Sequence, residues 1–380
     1  MIKLHARFSD CRDQEPFIVR VARNRQVDSV ARGREAYFIP PGQVAPTDYR
    51  AYFTDGDIPT GVDNARVWKI PSSLDHLADG DIVRISPRSG EIWVMYRKHS
   101  RFNSLLLTEQ CNSNCVMCSQ PPRAGDDSHL VRAYLEAIPL MDAETPELGI
   151  TGGEPTLLGH SLFQIIETCK QYLPATAIHM LTNGRMFNYM SLCRQLAECE
   201  HPDLMLGVPL YSDLAHGHDY VVQADRAFDQ TIRGIMNLAR FGIRIEIRIV
   251  LHRATIDRLP QFARFVARNL PFVDHVALMG LEMMGYVRMN LDALWIDPAD
   301  YQAQLRESVE ILSRHGLNAS IYNHQLCILD QSIWSFARKS ISDWKNEYVG
   351  ECDTCSVREQ CGGFFSSSSV RRSDHIHAIS

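Results

Sequence analysis

From residue 102 onward, strand-like apolar runs alternate with helix-like segments, and this rhythm leaves few folds open to the chain. Strands are expected at 102–107, 147–151, 176–182, 204–210, 243–251 and 272–279. Helices are expected near 129–138, 161–172, 190–198, 224–241 and 259–268, with a last one near 300–314. In the fourth, Phe228, Ile232, Ile235 and Ala239 recur at helical spacing, and Gly242 sits where a C-terminal cap belongs. Six β–α units in succession imply an α/β fold with parallel strands and right-handed crossovers. Six falls short of the eight of a full TIM barrel, so a partial barrel and a doubly wound sheet both stay open on periodicity.

The flanks break this rhythm. Residues 1–100 carry the turn signals Pro40-Pro41-Gly42, Asp55-Gly56-Asp57 and Pro59-Thr60-Gly61 between short strand-like runs at 17–21 and 36–39. Runs at 81–85 and 91–96 flank Pro87-Arg88-Ser89-Gly90 and read as a β-hairpin. The expected organisation is a small β-rich domain over 1–100, an α/β core over 101–315 and a cysteine-rich extension over 316–380. The polar tail after 370 is expected to be mobile. The first domain holds one isolated cysteine, Cys11, and none of the paired motifs found later. It is expected to recognise a partner or peptide, because exposed strand edges capture extended chains by main-chain pairing. Covering one end of the core is the competing role.

Composition removes several function classes. Thirty-nine basic residues against 45 acidic ones leave a net charge of −6, so no broad basic field offers itself to nucleic acid. Hydrophobic residues at 45% and charged ones at 22% exclude a mostly disordered chain. No apolar run approaches the roughly 20 residues that cross a bilayer, and the first residues hold no apolar signal region. A cytoplasmic protein with no membrane partner is expected. In that compartment the 11 cysteines argue for metal rather than disulfides.

The fifth strand reads Ile-Arg-Ile-Glu-Ile-Arg-Ile-Val-Leu from 243 to 251. Strict alternation is unusual for a parallel strand, which is normally buried on both faces. Arg244, Glu246 and Arg248 then share one face, which in a barrel is the lumen, where charges are costly unless paired or used on a ligand. A solvent-exposed edge strand is the alternative.

Cys111-Asn112-Ser113-Asn114-Cys115-Val116-Met117-Cys118 follows the first core strand, where α/β folds place active sites. Three closely spaced thiolates suit three irons of a 4Fe–4S cubane whose usual complement is four cysteines. A missing ligand leaves an open coordination position, the mark of a reactive metal site. Zinc completed by a histidine such as His129 is the alternative on spacing alone. Thr151-Gly152-Gly153-Glu154-Pro155 follows the second strand, on the same rim. Paired glycines admit close backbone approach, and a glutamate can accept hydrogen bonds from an ammonium group.

Together these two motifs resemble the radical S-adenosylmethionine (SAM) superfamily. The resemblance implies a partial (β/α)6 barrel, with Cys111, Cys115 and Cys118 binding a 4Fe–4S cluster and SAM chelating its fourth iron. Gly152, Gly153 and Glu154 would contact the SAM amino group. Met117 stands where the family commonly has an aromatic residue near the adenine, and as a polarizable apolar residue it is expected to substitute. Further matches to the family's ligand positions are Asn183 in Leu181-Thr182-Asn183-Gly184 and Ser212 in Tyr211-Ser212-Asp213, with His218-Asp219 behind it. Arg248, and Gly280 in the 277–282 segment, complete them. Taken singly, Asn183 could be a turn former and His218 a surface histidine.

A second set, Cys327, Cys352, Cys355 and Cys361, could ligate either one 4Fe–4S cluster or one zinc ion. Its place after the core resembles the auxiliary-cluster extensions of peptide-modifying radical SAM enzymes. Cys327 stands far from the rest. Cys169, Cys193 and Cys199 read as buried thiols. With Ser340–Asn346 and Cys361-Gly362-Gly363-Phe364-Phe365, the whole chain resembles the C-type radical SAM maturases of the His-Xaa-Ser system.

That resemblance implies reductive cleavage of SAM to a 5′-deoxyadenosyl radical, which abstracts hydrogen from a ribosomally made peptide with His-Xaa-Ser repeats. It also implies a companion radical SAM protein and a reductant such as flavodoxin or ferredoxin. No side chain is assigned as catalytic, since the cofactor carries the hard chemistry. A radical SAM enzyme acting on a small molecule, or a non-catalytic iron–sulfur scaffold, are the alternatives.

Overall fold

The computed structural model describes residues 3–8, 11–23, 28–40, 43–56, 62–339 and 346–380. Turn residues 41–42 and 57–61, and residues 340–345 of the Ser340–Asn346 stretch, lie outside the described residues. The chain divides into two compact units. One holds 1–105, 128–148 and 164–176, and the other 106–127, 149–163 and 177–380.

In the first unit, seven strands form a mixed sheet: β1 (His5–Arg7), β2 (Phe17–Ala22), β3 (Glu35–Phe38), β4 (Ala51–Thr54), β5 (Val67–Lys69), β6 (Ile82–Ser86) and β7 (Glu91–Tyr96). Their order is β1-β7-β6-β2-β3-β4-β5. β6 and β7 pair antiparallel through the expected hairpin, whose last turn residue, Gly90, has φ +65°. β2 to β5 run parallel. Val19, Val21, Phe38, Phe53, Trp68 and Ile85 fill the core. Glu35 is buried but paired, its Oε1 lying 2.6 Å from Arg20 Nη2 on the neighbouring strand. Buried Asp81 accepts the backbone N–H groups of Ala78 and Lys98. Both acids obey the rule that a charge leaves water only with partners.

The second sheet has eight strands: β8 (Asn103–Leu106), β9 (Glu147–Thr151), β10 (Ala177–Leu181), β11 (Leu204–Pro209), β12 (Arg244–Leu251), β13 (His275–Gly280), β14 (Ala319–Tyr322) and β15 (Ala337–Arg338). They lie in sequential order, and each pair from β10 to β15 is parallel. The six expected strands are present. β14 and β15 carry the rhythm beyond residue 316, where the sequence suggests that it stops. Four and two residues are too few to show a periodic pattern.

Helices Ser128–Ala137, His160–Tyr172, Met190–Glu198, Ala227–Arg240, Leu259–Asn269 and Gln302–Arg314 occupy the expected places. The fourth begins at Ala227 rather than 224, because Arg226 adopts φ +59° and Asp219 receives the N–H groups of Arg226 and Phe228. Its buried stripe is Ala227, Thr231, Gly234, Ile235 and Leu238, offset from the expected one but of the same period. Gly242, at φ +69°, ends it. A further helix, Ala215–Val222, is too short to show the pattern. The tail departs from expectation as well. Ser373 is buried, and residues 373–379 are tied to the second cysteine set rather than left free.

Candidate active site

The cysteine loop leaves β8 and is pinned from several directions. Thr108 Oγ1 and the Glu109 N–H both donate to Asp127 at 2.6 Å. The N–H groups of Asn114 and Val116 donate to the carbonyls of Val222 and Val221 at the end of helix Ala215–Val222. The Tyr286 N–H donates to the Cys118 carbonyl, and Asn290 Nδ2 to that of Val116. A loop tied this way holds its thiols in place before any ligand arrives.

The glycines after β9 serve this packing. Gly153 donates its N–H to the Thr108 carbonyl, and Glu154 its own to the Gln110 carbonyl. A Cβ on Gly152 would stand 2.7 Å from the Thr108 oxygen, and one on Gly153 would collide with the Gln110 carbonyl. Only glycine lets the two loops lie this close.

Cys111, Cys115 and Cys118 open onto a cavity of about 330 Å³. Met117, Gly152, Gly153, Asn183, Arg248 and Gly280 line it too. Burial raises the three thiol pKa values, and Cys115, also facing its two neighbours, is pushed up to about 12. Thiolates there need a strong cation, which a metal centre supplies. The set is all sulfur, the donor type that suits an iron–sulfur cluster. Among the described residues no three His, Cys, Asp or Glu groups are gathered as ligands of a single ion. In a cubane each thiolate binds its own iron.

Glu154 and Ser212 are placed elsewhere. Glu154 is fully buried and does not line the cavity. Its Oε1 accepts the Thr156 N–H, Thr156 Oγ1 and Thr182 Oγ1, and its Oε2 accepts the Asn183 N–H at 2.6 Å. Burial pushes its carboxyl up against these four bonds. The carboxylate therefore organises the rim from within and leaves cavity contacts to the glycines and Asn183. Ser212 Oγ accepts the Leu214 N–H and is also absent from the lining. His218 is a buried support, neither on the surface nor in the cavity. Its Nδ1 accepts the Tyr211 N–H, and burial lowers its pKa to about 4. Asp213 is spent on Arg258.

Sequence reading missed Arg185. It donates to the Asn112 carbonyl, to Ser113 Oγ at 3.1 Å and to Gln230 at 2.8 Å. Its charge favours the Cys115 thiolate. Asn183 Nδ2 joins it on Asn112 Oδ1 at 2.6 Å. The signal was only its position two residues past Asn183, since a single arginine in a turn marks nothing by itself.

Beneath the rim, the alternating face of β12 meets His275 of the neighbouring β13 and His179 of β10, one strand further away. Arg248 Nη1 lies 2.6 Å from Glu246, and Arg248 Nη2 lies 3.1 Å from Met279 Sδ. Glu246 also meets His275 at 2.7 Å and His179 at 3.4 Å, and His275 continues to Ser320 at 2.9 Å. Burial alone would raise the Glu246 pKa. The bonds from His179 and His275 and the Arg248 charge outweigh it and hold the carboxyl well below the usual range. Arg244, on the same face, is exposed and pairs with Asp203 and Asp274. Polar burial is thus confined to the inner two-thirds of the strand, and Arg248 is its member on the cavity wall.

Residues 105–266 match the family model described as the radical SAM superfamily. That segment, which holds both the cysteine loop and the glycine pair, is similar to the radical SAM superfamily. In structure the chain is similar to SuiB of Streptococcus suis bound to S-adenosylmethionine, at 15% identity and a TM-score of 0.48, over 59% of this chain and 51% of that one. It is similar to anSMEcpe with bound AdoMet and the Cp18Cys peptide, at 15% identity and 0.45, over 58% and 62%. A radical SAM methyltransferase from Sphaerobacter thermophilus aligns at 16% identity and 0.43, over 65% and 74%. The chain thus spans about half the length of the SuiB chain. No curated protein matches its sequence. The three thiols and the open cavity beside them fit a 4Fe–4S cluster with a ligand on its free iron.

The second set also assembles. Cys327, Cys352, Cys355 and Cys361, with His377 and Tyr348, surround a cavity of about 10 Å³. Burial raises the Cys327 thiol, and Cys361 and Cys352 add to that rise. Cys169, Cys193 and Cys199 are buried inside helices or at their ends. No helix of the described residues is long and apolar enough to cross a membrane.

Proposed function

We propose that this enzyme is a cytoplasmic maturase that modifies a ribosomally made peptide carrying His-Xaa-Ser repeats, with a 4Fe–4S cluster and SAM at the first site and an auxiliary 4Fe–4S cluster at the second. When bound, the first pair supplies a reductively generated carbon radical. The chain's own residues bind, orient and shield. Cys111, Cys115 and Cys118 would hold three irons, and the backbone of Gly152 and Gly153 and the side chain of Asn183 would meet the SAM methionine moiety. Met117, Arg248 and Gly280 would bound the rest. Glu154 and Arg185 fix the loops that carry these groups. Residues 1–100 would engage the peptide, and a flavodoxin or ferredoxin would deliver electrons beside a companion radical SAM protein.

The observation that carries the peptide reading is the gathering of Cys327 with Cys352, Cys355 and Cys361 around one cavity. A fully ligated second centre after the core is the feature shared with peptide-modifying enzymes of this superfamily. The test is co-expression with a candidate precursor peptide followed by mass spectrometry. A mass change confined to the peptide, and lost when Cys118 is replaced by alanine, is the expected result. Turnover of a small molecule with the peptide left unchanged would overturn the reading.

A further inference from the structure

Two backbone N–H groups point at sulfur in the second cysteine site. That of Leu326 lies 3.5 Å from Cys361 Sγ, and that of Ile379 lies 3.5 Å from Cys355 Sγ. The second of these donors comes from the tail, and the tail is held so that it stays aimed. Buried Ser373 accepts the His375 N–H at 3.1 Å, and His377 Nδ1 lies 2.9 Å from the His375 carbonyl. At the far end Ser356 grips the Ile379 carbonyl twice, by its N–H at 2.9 Å and its hydroxyl at 3.0 Å. From the other side Tyr348 donates to the Cys361 carbonyl at 3.0 Å.

We propose that residues 373–379 are a built-in part of the second metal centre, whose main-chain N–H group at 379 tunes its electron affinity. The proposal rests on the reading of this site as iron–sulfur. Thiolate ligands gain negative charge when a cluster is reduced, and an N–H dipole aimed at sulfur stabilises that charge. Hydrogen bonds to sulfur and exclusion of solvent are two of the main determinants of cluster potential. The two act in opposite directions, because exclusion of water disfavours the more negative reduced state that the N–H dipole favours. The main-chain donor of the tail therefore makes the centre easier to reduce than an equally buried site without it.

The test uses the full chain carrying Cys111→Ala, Cys115→Ala and Cys118→Ala, so that only the second centre reports. Its midpoint potential is measured by redox titration with electron paramagnetic resonance, beside iron and zinc content. The same chain is then compared with a version ending at Arg372 and with Ile379→Pro, which removes one donor because proline has no N–H. The expected result is iron held at about four per chain. In Ile379→Pro, which keeps the rest of the tail, the reduced-to-oxidised ratio at a fixed potential should fall about tenfold, a shift of about 59 mV for a one-electron couple. If shortening the chain costs the iron itself, Ile379→Pro decides, and a lowered potential there supports the proposal. An unchanged potential in Ile379→Pro overturns it. Zinc in place of iron before any tail variant is made overturns the iron–sulfur reading, and the redox role with it. That failure is read on the starting chain and is distinct from the other.

Discussion

The two cysteine sites differ most in the space they leave. The three-thiol site opens onto about 330 Å³, and the four-thiol site encloses about 10 Å³. The first is lined by strand ends and backed by a polar lumen, and its loops are tied together by side chains such as Asn183 and Arg185. The second is closed by its own main chain, with N–H groups aimed at sulfur. An incomplete ligand set beside a cavity is built to admit a ligand, whereas a complete set without space is built to exclude one. The difference supports the proposal that the first site does the chemistry and the second supports it.

The largest effect should come from removing each ligand set in turn. Wild-type protein reconstituted anaerobically should hold about eight irons, from two four-iron clusters. Alanine at Cys111, Cys115 and Cys118 should leave about four and abolish SAM cleavage. Alanine at Cys352 and Cys355 should also leave about four, yet keep SAM cleavage and lose peptide modification. Equal loss of cleavage in both variants, read by chromatography of 5′-deoxyadenosine, would erase the distinction between the sites.

A smaller effect belongs to Glu154. Alanine there strands the buried N–H groups of Thr156 and Asn183 and two threonine hydroxyls, and should cost about 3 kcal/mol of stability. The melting temperature should fall, and weakened SAM binding should follow from the displaced Asn183. Glu154→Asp, which keeps the charge on a shorter stem, should recover part of both. Weakened SAM binding at an unchanged melting temperature would instead place the carboxylate on the ligand.

Much of this contrast could be read before any fold was known. Cysteine spacing marked both sets, and the β–α rhythm placed the first on a strand's C-terminal end. Alternation along β12 put Arg248 and Glu246 on one inner face. What stayed hidden depends on contacts between segments distant in sequence. Glu154 looked like a ligand group because its residue type allows that role, while its real partners, Thr182 and Asn183, lie a strand away. Helix Ala215–Val222 carries His216, Gly217, His218 and Asp219, a composition that masks its buried face. The tail read as mobile because polar residues predict solvent, and its anchoring by main-chain bonds leaves no mark on residue type.

The smallest expected effect links the two sites through histidines that burial keeps neutral. His218 supports the helix whose last carbonyls hold the first cysteine loop, and its Nδ1 is already an acceptor. His324, three residues before Cys327, is fixed by Tyr301 Oη at 2.8 Å and by the Tyr322 carbonyl at 2.9 Å. Burial lowers both to about 4. An unfolded chain binds these protons near the ordinary histidine value of about 6.5, so it takes up protons that the folded chain refuses. Stability is therefore full above about pH 6.5 and falls as pH drops toward 4. Each histidine contributes a slope of roughly 1.4 kcal/mol per pH unit in that window. His218→Gln and His324→Gln should each lower the melting temperature at pH 7 through lost packing, and each should flatten the acid limb by about one proton. Iron release on acidification should then separate the sites, with His218→Gln loosening the three-thiol site first and His324→Gln the four-thiol site. Melting curves from pH 7 to 4.5 with parallel iron assays measure both. A slope unchanged by either substitution would mean that the histidine is already protonated in the folded enzyme, and that the supports of the two sites are not neutral after all.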